Sequence, residues 1–539
     1  MSTDQAPLPA SIDIFDTTLR DGAQFEGISL SVEDKLRIAE QLDWLGVAWI
    51  EGGYPQANPK DEEFFRRAVG GELQLDTATL VAFGSTRRPA GRVDDDPTLR
   101  ALVEAGTSTL CIVGKSWDFH VIKALETSLD EGVAMVADSV KFLTGEGRRV
   151  FFDAEHFFDG YKANPEFALR VLEGAATNGA SVLVLCDTNG GSLPHEVERI
   201  VRDVHAYFGN DVALGIHTQN DSGCAVANSV AAVLGGATQL QGTINGYGER
   251  TGNANLMTCI PNLELKLGVQ CLPEGRIERL TSVSRHVAEL VNLPPHAADP
   301  YVGASAFAHK GGLHSSALAK AGSATYEHVD PAVVGNSTRV LISDLGGKAG
   351  MGMKATEFGV DLDGAAATAL TKELKQLESE GYVFEAADAS LELLMRRIAG
   401  LLEPLFRVET YRVTSYHREG SAWPGDGVDL MNEATVKLWV GDERLVAVGE
   451  GNGPVNALDA ALRGALGNRF PALAQIHLTD YRVRVLDTAT GTQAVTRVLI
   501  DSTDGTRTWS TVGVSENIIE ASWRALVDSL TFGLLKAPH

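Results

Sequence analysis

The stretch FDTTLRDGAQ, residues 15–24, places Arg20 directly before Asp21 at the end of a short apolar run. Further along, GIHTQND carries His217 and Gln219 two positions apart. Alternate residues of a strand point to the same face, so these two side chains can aim at one point that Asp21 could also reach. A carboxylate, an imidazole and an amide oxygen suit a divalent metal with open positions for a chelating substrate. The alternative is that His217 caps a strand and that Asp21 pairs only with Arg20.

Four other polar residues could act beside such a metal. Glu155 in DAEHFFDG could accept hydrogen bonds from a substrate or a water, and Thr188 in CDTNGG could hold a substrate carboxylate. Asn253 lies in the Gly-rich loop GYGERTGNANL and could be an oxygen ligand or orient one. His314 in HKGGLHSS could be a mobile general acid or base, because imidazole titrates near neutral pH. Taken singly, each of the four is also compatible with a structural role.

Eight β-rich runs, each followed by a helical pattern, must position these residues. The runs cover residues 12–16, 47–53, 78–84, 109–114, 150–156, 181–187, 212–218 and 239–245. They lie roughly 25 to 40 residues apart, as an α/β fold of the (β/α)8 TIM barrel type requires. A doubly wound open sheet is the competing architecture. The barrel is favoured because polar residues recur at the C-terminal ends of the runs, where barrel enzymes carry their chemistry.

The rest of the chain follows a different pattern, which predicts three domains. Residues 1–275 would form the catalytic barrel, and residues 276–404 would form helical linker subdomains with helices near 276–292 and 364–402. Between these helices, the Gly-rich segment AFAHKGGLHSSALAKAGSATYEH reads as an insertion able to cover the barrel mouth. Residues 405–539 would form a strand-rich C-terminal domain.

This last domain contains a weak internal repeat. The residues Val448, Gly449, Val455, Ala457, Ala461, Leu462 and Leu466 recur in the same order and spacing as Val512, Gly513, Ile519, Ala521, Ala525, Leu526 and Leu530. Each half reads as strands followed by one helix, so two βββα units could pack as a pseudo-symmetric α+β domain. Because the repeat carries no obvious catalytic cluster, it suggests a regulatory or dimerising module.

Composition excludes several classes of function. The 539 residues include 46 basic and 71 acidic side chains, a formal charge of −25 that argues against nucleic-acid binding. The N-terminus lacks the features of a signal peptide and no long apolar window occurs, so we expect a cytoplasmic protein without membrane contact. Five scattered cysteines with no Cys-x-x-Cys pair predict neither a disulfide framework nor a zinc ribbon.

Taken together, the motifs resemble a family of Claisen-condensing metallo-barrels that includes the 2-isopropylmalate, homocitrate and citramalate synthases. The matching pieces are DTTLRDGAQ, IEGGYP, DAEHFFDG, CDTNGG, GIHTQNDSGCAVANS, NGYGERTGNANL and AFAHKGGLHSSA. They span the predicted barrel and the insertion, and the C-terminal repeat is similar to the family's amino-acid-binding regulatory domain. IEGGYP and FAHKGGLH resemble the citramalate synthase branch more than the isopropylmalate branch.

The resemblance implies a role for each candidate residue. Asp21 and His217 would bind a divalent metal with Asn253 nearby, Arg20 would polarise the keto oxygen of a 2-oxo acid, and Thr188 would bind its carboxylate. The positions of Glu155, His314 and Tyr326 would be catalytic, with the insertion donated across a homodimer. The implied reaction is an acyl transfer in which the methyl carbon of acetyl-CoA attacks the 2-oxo acid before the thioester is hydrolysed.

One departure concerns the metal. The family usually has His-x-His at the seventh strand end, whereas this chain has Gln219 in the second position. A Gln oxygen is neutral and harder than imidazole, which shifts the expected preference from zinc towards magnesium or manganese.

The resemblance therefore predicts an acyltransferase that uses pyruvate and acetyl-CoA in isoleucine biosynthesis, with isoleucine as the feedback effector. A 2-isopropylmalate synthase of leucine biosynthesis is the alternative enzyme. A non-catalytic amino-acid sensor on a degenerate barrel is the alternative outside the enzymes.

Overall fold

The structure, a computed structural model, describes residues 8–309, 314, 317–318, 321–340, 351, 354–384, 387–418, 429–486 and 494–537. The chain divides into two compact units. The first comprises Met1–Phe307 and Glu327–Ser337, and the second comprises Ala308–Tyr326 and Thr338–His539. The division into three domains at residues 275 and 404 stays a prediction.

The first unit is a closed barrel of eight parallel strands in sequential order. The strands are β1 (Asp13–Asp16), β2 (Trp49–Gly53), β3 (Thr79–Ser85), β4 (Thr109–Lys115), β5 (Arg149–Glu155), β6 (Val182–Asp187), β7 (Ala213–Thr218) and β8 (Gln239–Gly242). All eight predicted runs are confirmed, and the open-sheet alternative is wrong because β1 pairs with both β2 and β8. This closure brings the start of the barrel beside its end.

Helices surround the strands of this unit. They are α1 (Val32–Leu45), α2 (Pro59–Arg67), α3 (Pro97–Glu104), α4 (Asp118–Lys123), α5 (Leu129–Gly145), α6 (Phe157–Ala163), α7 (Pro165–Ala176), α8 (Pro194–Phe208), α9 (Ala225–Gly235), α10 (Leu256–Pro261) and α11 (Leu280–Leu290). Local sequence sets several of their ends. Ser31 and Asp34 form a capping box at the start of α1, and Gly46 ends that helix in the left-handed region at φ 99°.

Two apolar layers hold the barrel together. The larger one lies between the strands and the helices, where the side chains of Ile14, Ile50 and Leu183 are buried. The smaller one fills the barrel interior and includes Phe15 and Phe151, whose rings meet edge to face. Burial of this area supplies most of the driving force for folding. All five cysteines are free thiols, as expected from their scattered positions.

The second unit begins with two short strands and continues with longer helices and strands. They are β9 (Ala308–His309), β10 (Arg339–Val340), α12 (Gly364–Ser379), α13 (Asp388–Ile398), β11 (Arg407–Arg418), β12 (Asp429–Val440), β13 (Glu443–Gly451), α14 (Pro454–Leu466), β14 (His477–Val485), β15 (Thr496–Thr503), β16 (Thr508–Ser515) and α15 (Ile518–Lys536). The segment predicted to be helical over 364–402 contains two helices, α12 and α13, and Gly381 follows α12 at φ 107°, where it turns the chain. None of the described helices has the length and apolar character needed to cross a membrane.

The predicted βββα repeat is confirmed as two three-stranded antiparallel sheets, β11-β12-β13 followed by α14 and β14-β15-β16 followed by α15. The repeated glycines explain part of the pattern. A Cβ at Gly449 would lie 2.3 Å from the backbone nitrogen of Ala461, and one at Gly513 would lie 2.0 Å from the carbonyl oxygen of Ala521. Each glycine therefore lets its helix pack directly on the last strand of its sheet.

Candidate active site

The four predicted metal ligands meet at the C-terminal mouth of the barrel. Asp21 follows β1, His217 and Gln219 lie at the end of β7, and a backbone bridge joins Gln219 to Asn253. Asp21 Oδ2 lies 3.4 Å from His217 Nε2 and 3.5 Å from Gln219 Nε2, and Asn253 Oδ1 lies 3.4 Å from that same Gln219 nitrogen. All four side chains are buried. We call these four residues the ligand cluster.

The amide of Gln219 tests whether the ligand cluster fits a cation. Its Nε2 lies 3.4 to 3.5 Å from Asp21 Oδ2, His217 Nε2 and Asn253 Oδ1, which is longer than an ordinary N–H···O hydrogen bond. Its Oε1 is buried and has no hydrogen-bond partner among the described residues. A half-turn of the amide would place Oε1 where Nε2 now lies, so that Asp21 Oδ2, Gln219 Oε1 and Asn253 Oδ1 would face one point, together with His217 Nε2 when the neutral ring is protonated on Nδ1. The donor set fits a hard divalent cation.

The same donor set is unlike an ordinary zinc site. Within the described part of the chain, no three His, Cys, Asp or Glu side chains are grouped so that they could hold a metal ion. Only Asp21 and His217 in the ligand cluster belong to these residue types, and the other two donors are amides. Oxygen donors therefore predominate in the whole ligand cluster, and Gln219 in place of a second histidine is one part of this composition.

The Gly-rich loop after β8 holds Asn253 in place. The side-chain Nδ2 of Asn253 donates to the carbonyl oxygen of Tyr247 at 3.1 Å, which leaves its Oδ1 towards Gln219. A Cβ at Gly248 would lie 2.1 Å from that Nδ2, and one at Gly252 would lie 1.9 Å from a backbone oxygen. Both glycines also have positive φ, so the loop requires glycine at these positions.

Arg20 lies beside the ligand cluster and is fixed from three sides. Its Nε donates to Glu51 Oε2 at 2.6 Å, its Nη1 lies 3.3 Å from Asp21 Oδ2, and its guanidinium carbon lies 3.9 Å from the ring centre of Phe83. Glu51 is fully buried and also accepts from the hydroxyl of Thr17 at 2.5 Å. The sequence motifs did not predict Glu51 as a site residue, although its carboxylate stands out in the otherwise uncharged motif IEGGYP.

Charges at the barrel mouth shift several pKa values. Burial alone would raise the pKa of Asp21, but the charge of Arg20 and the hydrogen bond with His217 hold it well below its usual range. Burial disfavours the charged form of His217, but the contact with Asp21 favours it, and the pKa of His217 is raised as a result. Burial raises the pKa of Asp16 to about 7 and that of Asp153 to about 6, with Glu51 adding to both shifts. The interior thus holds several carboxylates near one guanidinium.

Glu155 and Thr188 lie at neighbouring strand ends of the same mouth. Glu155 ends β5 and pairs with Lys115, which ends β4. The hydroxyl oxygen of Thr188, just past β6, accepts from the backbone N–H of His156 at 2.9 Å, so its own O–H can still donate to a ligand. His156 has a φ of 57°, a strained conformation of the kind found at functional sites.

The other two candidates, His314 and Tyr326, belong to the second unit. Their rings stack with centroids 3.9 Å apart and planes inclined by 26°. The structure therefore brings these two predicted residues together. Much of the predicted insertion around His314, residues 310–313, 315–316 and 319–320, lies outside the described residues. The catalytic roles of the pair stay predictions.

Three families match successive parts of the chain. The HMGL-like family matches residues 11–287, the homocitrate synthase post-HMGL domain-like family matches residues 301–382, and the LeuA allosteric (dimerisation) domain matches residues 385–534. The first match covers the barrel with the ligand cluster. The class defined by fold and site is therefore an HMGL-like barrel followed by a LeuA-type domain.

Full-length relatives narrow this class. A protein of Streptomyces coelicolor named (R)-citramalate synthase is 53% identical over 99% of each chain. One of Aquifex aeolicus with the same name is 51% identical over 97% of this chain and 98% of its own. A protein of Methanopyrus kandleri named probable 2-isopropylmalate synthase is 31% identical over 96% of this chain and 98% of its own. The chain belongs to the (R)-citramalate synthase family, which agrees with the branch indicated by the sequence motifs.

Proposed function

We propose that the chain catalyses the metal-dependent condensation of acetyl-CoA with pyruvate, followed by thioester hydrolysis, to give (R)-citramalate and CoA. The observation that carries the proposal is the ligand cluster with the fixed guanidinium of Arg20 beside it. The high identity to full-length relatives named (R)-citramalate synthase supports pyruvate as the acceptor. The lower identity to the probable 2-isopropylmalate synthase makes 2-oxoisovalerate the second candidate acceptor.

Binding of the 2-oxo acid would use charges already in place. Asp21, His217, Gln219 and Asn253 would hold a divalent cation, whose positive charge would polarise the keto group of a bound 2-oxo acid. Arg20 would donate hydrogen bonds to the oxygen that becomes negative when the new carbon–carbon bond forms. Because Glu51, Asp21 and Phe83 hold the guanidinium, little reorganisation is needed as that charge develops.

The remaining residues would orient the substrate and move protons. The free O–H of Thr188 is suited to donate to the substrate carboxylate. For proton transfer from the methyl group of acetyl-CoA and to the product alkoxide, we propose Glu155 together with His314 and Tyr326 of an insertion that is donated across a homodimer. A cavity of about 360 Å³ adjoins Arg20 on the side of Tyr54 and Phe83, and its lining residues do not include the ligand cluster.

The donor chemistry supports magnesium or manganese rather than zinc. Three of the four donors are oxygens once the Gln219 amide turns, and only His217 offers nitrogen. Oxygen-rich sites favour the harder cations. Zinc remains the third metal to test, because the family pattern carries a second histidine at position 219.

Regulation would reside in the C-terminal domain. The match to the LeuA allosteric (dimerisation) domain supports a homodimer and an amino-acid effector. We propose isoleucine as this effector, since citramalate formation can start a route to isoleucine. A sensor without catalysis would bind the amino acid in the same domain but would bind neither metal nor 2-oxo acid.

The decisive experiment follows CoA release from acetyl-CoA by detection of the new thiol. Pyruvate and 2-oxoisovalerate are offered separately with Mg²⁺, Mn²⁺ or Zn²⁺. Release that requires pyruvate and a metal supports the proposal, and a preference for 2-oxoisovalerate would assign the chain to leucine biosynthesis. Absence of release from folded protein with every acceptor and metal would refute an enzymatic function, and calorimetry with isoleucine would then test the sensor alternative.

A further inference from the structure

The second ring nitrogen of His217 belongs to a buried chain of hydrogen bonds that leads away from the ligand cluster. His217 Nδ1 lies 2.9 Å from Gln241 Oε1, and Gln241 Nε2 donates to Asp153 Oδ1 at 3.1 Å. Gln241 is the register partner of His217 on β8, and Asp153 reaches the same interior from β5. The two side chains are 0% and 3% exposed. Neither residue was predicted as part of the site.

The direction of these hydrogen bonds determines which ring nitrogen of His217 carries the proton. An ionised carboxylate can only accept, so the NH₂ group of Gln241 must face Asp153 and its oxygen must face His217. An amide oxygen also only accepts, so His217 must carry a proton on Nδ1. In the neutral ring the lone pair is then on Nε2, which faces Asp21 Oδ2 at 3.4 Å. Two acceptors in this position are suited to share a cation.

We propose that Gln241 and Asp153 are positioning residues that hold His217 in the tautomer whose Nε2 binds the metal. The inference rests on the metal site given under the proposed function and adds residues that act through His217. Their importance follows from the composition of the ligand cluster. Gln219 occupies the position of the second histidine in the family's His-x-His pattern, so His217 is the only imidazole of the ligand cluster. Its tautomer alone therefore decides whether a nitrogen lone pair faces the cation.

The first test measures Mn²⁺ binding to the metal-free full-length protein from the electron paramagnetic resonance signal of free Mn²⁺. Gln241→Leu removes the acceptor for Nδ1–H and should weaken Mn²⁺ binding by about 10- to 100-fold, the usual cost of losing a residue that orients a ligand. Gln241→Glu keeps an acceptor oxygen for Nδ1–H and should recover most of the affinity. This recovery separates positioning of the imidazole from simple loss of packing.

The chain offers a matched control on the same strand. Gln239 lies two residues before Gln241 and is equally buried, but its side-chain atoms have no hydrogen-bond partner among the described residues. Gln239→Leu should bind Mn²⁺ like the parent protein. Equal weakening in Gln239→Leu and Gln241→Leu would overturn the proposal, and so would unchanged binding in Gln241→Leu.

The second test needs no substitution at Gln241 and stands even if those variants do not fold. Nitrogen NMR of ¹⁵N-histidine-labelled, metal-free protein at alkaline pH reports which nitrogen of neutral His217 carries the proton, with the signal assigned by its loss in His217→Asn. Protonated Nδ1 with bare Nε2 is the expected result, and the opposite tautomer would overturn the inference. Neither test uses substrate turnover, so failure to release CoA would refute the proposed reaction without affecting this result.

Discussion

Replacing Arg20 by lysine tests the central feature of the proposed mechanism, a guanidinium that is held in place before the reaction begins. Arg20 makes an ion pair to Glu51 at 2.6 Å, lies 3.3 Å from Asp21 and stacks over Phe83 at 3.9 Å. Its planar group can contact these neighbours and still present N–H donors to a substrate oxygen. A lysine ammonium keeps the charge, but it is a single nitrogen that cannot reproduce this fork.

The expected loss follows from the number of donors removed. If the ammonium stays with Glu51, at least one hydrogen bond to the developing oxyanion disappears, which costs about 2.7 to 4 kcal/mol of transition-state stabilisation. We therefore expect kcat for CoA release with pyruvate to fall by a factor of about 10² to 10³. Mn²⁺ affinity should change much less, because Arg20 is not a metal ligand. The assay is thiol release at saturating metal and acetyl-CoA.

Arg87 provides the matched control for this substitution. It is a buried arginine of the same barrel unit and pairs with Glu131 at 2.6 Å and with Asp138 at 2.8 Å. Arg87→Lys should lower the unfolding midpoint as Arg20→Lys does, while leaving kcat near that of the parent. If Arg20→Lys retains kcat within about threefold of the parent protein, hydrogen bonds from the guanidinium do not stabilise the developing oxyanion.

Three further predictions address the metal and the second unit. Asp21→Ala should abolish metal-dependent CoA release and Mn²⁺ binding in a folded protein, and unchanged activity would rule out the proposed ligand cluster. Gln219→His should tighten Zn²⁺ binding in competition with a chromophoric chelator, whereas unchanged affinity would mean that position 219 is not a ligand. Burial raises the pKa of Asp528 from 3.8 to about 6 in the folded protein, so its charge opposes folding once the pH rises through that value. Asp528→Asn should therefore increase the free energy of unfolding by up to about 3 kcal/mol near pH 8 and by little below about pH 4. Urea denaturation at several pH values measures this increase, and an increase of the same size at every pH would show that it does not come from the buried charge of Asp528.

The sequence was sufficient to predict the barrel because its strands are short, apolar and regularly spaced. Polar residues at the strand ends then indicated the functional face, and the positions of Asp21, His217, Gln219 and Asn253 followed from that geometry. The βββα repeat was predictable for a similar reason, since Gly449 and Gly513 recur where a helix must approach a strand closely. The sequence indicated helical structure over 364–402 but not its division into α12 and α13, because apolar periodicity continues across the turn at Gly381, which has a positive φ.

The residues that the sequence did not reveal are polar side chains inside the strands. Glu51 and Gln241 lie within runs that read as ordinary buried strands, and their function depends on partners far away in sequence. Glu51 meets Arg20 across two neighbouring strands, and Gln241 meets Asp153 across the barrel interior. Periodicity assigns each residue to a face, but it does not pair residues from different strands. These contacts became visible only with the register of the closed barrel.

Closure of the barrel is what brings the residues of the ligand cluster together. Asp21 follows β1, whereas His217 lies near the end of β7 and Asn253 follows β8, and pairing of β1 with β8 joins these two ends of the barrel. Until that pairing forms, Asp21 has neither His217 nor Gln219 beside it, and no shared cation site exists. A metal that binds the closed barrel and not the open chain must therefore stabilise the β1–β8 pairing by the free energy of its binding. Under the proposed function, metal binding and closure of the fold are thus coupled through the same four side chains.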